Sequence, residues 1–86
     1  MSASEPIAPA FALSHADRHR LNKELGSVER RLETAGSKAG DAREKLAETD
    51  PSDYVALLEA QARLDEAEQR VAELEDEWVH LCELLS

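Results

Sequence analysis

The side chains with the clearest chemical potential in this sequence are basic, and they recur every seven residues. Arg31, Lys38 and Lys45 form one such row, and Arg63 and Arg70 form another. On an α-helix seven residues make nearly two turns, so each row shares one face with charges about 10.5 Å apart. Cations spaced in this way can contact the phosphate backbone of DNA or ribosomal RNA, which positions a protein without reading sequence. The same residues also read as a solvated flank, where water and salt screen like charges from one another.

Two further groups invite a chemical reading. His15 and His19 lie four residues apart, and His80 and Cys82 form a second close set. Three imidazoles and a thiol are a possible zinc ligand set. The apolar register, however, turns His19 and His80 outward, as ordinary surface histidines, so no metal site is assigned. No base or cation is arranged to activate Cys82, and as the sole cysteine it can form no intrachain disulfide. The sequence holds no Gly-rich Lys-Ser/Thr loop for phosphate and no recognisable nucleophile or catalytic carboxylate pair. The chain is therefore read as non-enzymatic, without a cofactor of its own.

The elements that must carry these residues are helical. Of the 86 residues only three are aromatic, and the apolar share is mostly Ala and Leu, both strong helix formers. In the first half apolar residues fall at Leu21, Leu25, Val28, Leu32, Ala35, Ala39, Ala42 and Leu46; the second stripe runs Leu57, Ala60, Leu64, Ala67, Val71, Leu74, Trp78, Leu81 and Leu85. The intervals alternate between three and four residues throughout, which is the heptad pattern of a coiled coil. Ser14 with Asp17 three residues on reads as an N-cap for helix 1, over about residues 15–47. Asp50 reads as the cap of helix 2, with Pro51 at its first position, over about residues 51–85.

The expected fold is thus all-α: an antiparallel two-helix coiled-coil hairpin, residues 14–86, behind an irregular lead-in, residues 1–13. Folding the chain at Asp50 pairs residues whose numbers sum to 99, setting Leu21 beside Trp78, Leu25 beside Leu74 and Ala39 beside Ala60. The two basic rows then meet along one edge of the seam, and Glu29, Glu68 and Glu75 lie on the other. Gly26, Gly36 and Gly40 lie off the seam, either as tolerated weak points or as a local bulge in the GSKAG segment. Phe11 and Leu13 are placed to fold back onto the open end, near Trp78 and Leu85.

The formal net charge is −9, unevenly spread. Residues 15–48 carry eight basic and seven acidic side chains, whereas residues 49–86 carry two and eleven. That balance excludes a broadly basic nucleic-acid-binding surface but leaves room for a local strip. No apolar run approaches transmembrane length and no secretory leader is evident, so a cytoplasmic protein without membrane contact is expected.

The stretches LSHADRHRLNKELGSVERRLE, ETDPSDYVALLEAQARLDEAE and VAELEDEWVHLCELL resemble the C-terminal coiled-coil domain of ABC-F ATPases of the Uup type. The Asp-Pro turn with a nearby Tyr and the late Glu-x-x-Trp-x-x-Leu carry the likeness, which covers roughly residues 13–85. The resemblance implies an accessory domain that contacts DNA or the ribosome, with ATP handled only by cassettes upstream of this stretch. The strongly acidic second helix departs from the basic character such a DNA-binding hairpin is expected to have. The alternative is a free-standing helical hairpin that binds protein partners or self-associates. Val55, Leu58, Val79 and Leu84 lie off the main stripe and are placed to widen it, so a monomer or a weak homodimer is expected.

Overall fold

The computed structural model describes residues 13–86. Helix α1 spans His15–Glu48 and helix α2 spans Tyr54–Leu85. They pack along their lengths as an antiparallel coiled-coil hairpin. Phe11 and nearly all of the expected lead-in lie outside the described residues. Leu13 is described, and it packs against the buried cluster at the open end together with Leu85.

Each helix end is closed by the residues the sequence supplies there. The Ser14 hydroxyl accepts from the Asp17 amide at 3.0 Å, which satisfies one of the free N–H groups of the first turn. At the other end of α1, Thr49 donates its amide to the Leu46 carbonyl at 3.2 Å and its hydroxyl to the Lys45 carbonyl at 2.6 Å. The chain then turns through Asp50-Pro51-Ser52-Asp53, closed by the Asp53 amide on the Asp50 carbonyl at 3.0 Å. Pro51 thus occupies the second position of a β-turn, where its fixed φ is favourable.

This corrects the expected start of helix 2. The cap of α2 is Asp53, whose side chain accepts from the Ala56 amide at 3.1 Å, and the first helical residue is Tyr54 rather than Pro51. Asp50 is engaged differently: its carboxylate accepts from the Ser52 amide at 2.9 Å and the Ser52 hydroxyl at 2.8 Å. Those bonds hold its carboxyl below the usual range of 3.8, the backbone amide contributing most. Both aspartates can cap, and spreading the reversal over Thr49–Asp53 lets each be used.

The core follows the expected stripes. Leu21, Val28, Ala35, Leu74 and Leu81 form one buried cluster, with Leu25, Leu32 and Val71 half-buried against it. Ala39 and Leu64 are buried nearer the turn. Burial of Leu74 is nearly complete, at 1 % exposure. The register between the helices departs from the expected pairing, in which Ala39 lay beside Ala60. Ala35 and Ala67 accordingly line one groove, and Ala42, Ala56 and Ala60 line another. Trp78, expected beside Leu21, sends its indole N–H to Glu29 at 3.1 Å, two turns further along α1.

Helix α1 is continuous through the GSKAG segment, with no bulge and no residue at positive φ. The three glycines are therefore helix-interior residues, the plainer of the two expectations. Among the described residues, no helix is long and apolar enough to cross a membrane.

Candidate nucleic-acid interface

The basic rows lie where hollows open in the seam. Wherever two alanines meet, the helices leave space that a larger pair would fill. The groove floored by Ala35 and Ala67 has a volume of ≈ 440 Å³ and is rimmed by Arg31, Lys38 and Arg70. Arg30 joins them, so four cations surround it, together with the hydroxyl-bearing Ser27 and Thr34. No carboxylate among the described residues lines it.

The other two expected strip residues sit elsewhere. Lys45 and Arg63 line a second groove, of ≈ 640 Å³, near the turn. They share it with Asp41, Glu48 and Glu59, whose charges offset theirs. A third groove, of ≈ 300 Å³, lies toward the open end and combines Glu24, Glu77 and His80 with Arg31. One edge of the hairpin is therefore acidic at the open end, basic in the middle and mixed at the turn. The structure divides the expected uniform strip of Arg31, Lys38, Lys45, Arg63 and Arg70 into two groups, of which only the middle one is free of lining carboxylates.

Pairing within the strip is slight. Arg70 lies 3.7 Å from Glu73, one turn along α2, with both side chains more than half exposed. Exposed pairs of this kind contribute about 0–1 kcal/mol and leave the cation available to other anions. Among the described residues, Arg31, Lys38, Lys45 and Arg63 form no ion pair.

Arg30 was missed by the heptad reading because it sits one position outside the edge row. Its neighbour in sequence, Arg31, was the available signal, since a long side chain one step round the helix reaches the same groove. Gly26 lies beneath it: a Cβ at that position would stand 3.5 Å from the Arg30 Nη1.

The opposite edge is organised by cross-helix bonds. Arg43 donates to Glu68 at 2.9 Å, and Trp78 donates to Glu29. Two of the acidic residues expected there thus bind partners across the seam. At the open end Arg18 donates to the Leu85 carbonyl at 3.1 Å, placing a cation at the negative end of the α2 dipole. His15, His19 and His80 are exposed and Cys82 is half-buried. Among the described residues, no group of three or more His, Cys, Asp or Glu side chains is placed to hold a metal ion.

The chain matches no family model, no curated protein and no solved structure.

Proposed function

We propose that this hairpin is a non-catalytic accessory element that lays one basic edge against the phosphate backbone of nucleic acid, either DNA or ribosomal RNA. The observation that carries the reading is the groove at Arg30, Arg31, Lys38 and Arg70, with four cations and no lining carboxylate. The resemblance to the C-terminal hairpin of Uup-type ABC-F ATPases supports the same assignment, and in that setting any ATP would be bound by other domains. Contact of this kind is electrostatic, so affinity should fall with salt and depend little on sequence.

The test compares a short labelled duplex at low salt against the wild-type chain and against a variant with Arg31, Lys38, Lys45, Arg63 and Arg70 all changed to Gln. Measurable binding by the first and its loss in the second is the expected result. Equal binding by both, or binding by neither, refutes the proposal.

A second reading, a protein-interaction hairpin, draws on one specific feature. Tyr54, Val55 and Leu58 are 71 %, 66 % and 53 % exposed on the first turns of α2. Clustered exposed apolar side chains are a common mark of protein contact. Sedimentation over a range of concentrations tests the homodimer form of this reading, and a constant monomer mass would refute that form.

A further inference from the structure

The middle groove is more than a row of charges, because its floor is apolar. Ala35 is buried and Ala67 half-buried, and their methyl groups lie between cations contributed by both helices. The ring of cations thus encloses an apolar hollow of ≈ 440 Å³, into which phosphates alone would not reach.

Duplex and single-stranded nucleic acids present different surfaces to such a groove. A duplex keeps its base faces stacked inside and offers a convex ridge of phosphate and sugar, which would meet the rim and leave the floor empty. A single strand can turn an unstacked base outward, and proteins meet such bases with aromatic rings or with guanidinium planes, of which this groove offers the second. Three of the four rim cations are arginines. Their planar guanidinium groups can both stack on a base and bind a phosphate in a fork.

We infer that this groove takes single-stranded nucleic acid in preference to duplex, with one unpaired base lying on Ala35 and Ala67. The flanking phosphates are held by Arg31 and Lys38 on one side and Arg70 on the other. The inference rests on the nucleic-acid reading above and deepens it by naming the form of nucleic acid. Carboxylates bound the site at both ends: Glu24 and Glu77 toward the open end, Asp41 toward the turn. The stretch of α1 from Glu24 to Asp41 is about 25 Å long, so the engaged segment is a few nucleotides.

The experiment measures fluorescence anisotropy of the full chain with three labelled probes of equal length at low salt: an oligothymidylate, a mixed-sequence duplex and an abasic strand. The abasic strand carries the same phosphates without bases. The oligothymidylate should bind about tenfold tighter than either of the others. Ala67→Leu, which fills the floor without changing charge, should erase that preference, while Arg70→Gln should weaken all three probes together. If Ala67→Leu does not fold, the abasic comparison on the wild-type chain decides alone. Duplex or abasic binding as tight as oligothymidylate overturns the single-strand inference and leaves the phosphate-backbone reading standing. Binding to none of the probes overturns both.

Discussion

Replacing Gly36 and Gly40 together with alanine should stabilise the hairpin substantially. Both residues lie inside α1, neither has a positive φ, and a Cβ added at either would meet no heavy atom within 4 Å. The substitution therefore costs no packing and no backbone strain. Its gain is the difference in intrinsic helix propensity, about 1 kcal/mol per residue, much of it from restricting the unfolded chain. The two sites are one turn apart, nearer than the spacing at which effects simply add, so together they should contribute about 1–2 kcal/mol. For a domain of this size that corresponds to a rise in Tm of about 10 °C. Thermal melts followed by circular dichroism at the helix band measure it, and urea titration checks it. The midpoint should shift without a change in slope, because the surface exposed on unfolding is unchanged. An unchanged or lowered Tm would refute the reasoning, since it would mean that the GSKAG backbone in solution is not plain α-helix. Gly26→Ala gives a contrast: its Cβ meets Arg30 at ordinary contact distance, so a gain of the same sign is expected there too.

Two other predictions concern the core and the turn. Leu74→Ala removes the most buried side chain and should cost about 2–5 kcal/mol in urea denaturation; a loss under about 1 kcal/mol would mean that the seam does not pack as described. Asp50→Ala should destabilise in a pH-dependent way. The folded-state carboxyl is held below its ordinary value of 3.8 by the two bonds from Ser52, so the stabilisation is complete above that value. It is lost as pH falls through the lowered folded value. The stability gap between wild type and Asp50→Ala should therefore be constant near neutrality and shrink in acid, and a gap that widens in acid would contradict the turn geometry.

The seam was legible because its signal is redundant. Seventeen positions across two helices keep the three-four alternation, and among them only Trp78 is left as an exposed residue. The register was less legible, because TDPSD offers two capping aspartates three residues apart and nothing local decides between them. The choice depends on the turn as a whole, in which Asp50 accepts from Ser52 while Asp53 is left to cap α2. That shift in turn decides which alanines meet, and so where the grooves open. The edge row of basic residues could be read from periodicity, and part of its partition lay in the same spacing: Asp41 and Glu48 stand four before and three after Lys45 on α1, and Glu59 four before Arg63 on α2. What spacing within one helix does not contain is which cations of α1 and α2 share a groove, since that depends on the register between the helices. Trp78 followed the same logic: its heptad position pointed to the seam, but its indole N–H found Glu29 at the edge.

The acidic body also bears on how the proposed interface would respond to salt. Eleven acidic side chains lie in residues 49–86, and none of them lines the middle groove. At about 0.1 M salt the screening length is about 10 Å, comparable with the thickness of one helix, so these charges are largely hidden from a strand in the groove. Lowering the salt strengthens the rim contacts and, at the same time, unmasks the repulsion from the acidic side. The two effects oppose each other, and the dependence of affinity on salt should be shallower than about 0.7 logarithmic units per phosphate engaged by a single strand. A wholly basic hairpin would show the full slope. Neutralising Glu24 and Glu77, which stand at the margin of the site, should steepen the curve toward that value, whereas neutralising carboxylates on the far side of α2 should matter only at low salt. In the proposed interface the acidic surroundings would act as a boundary, confining a nucleic acid to one edge and to a short stretch of it, which a uniformly basic rod could not do.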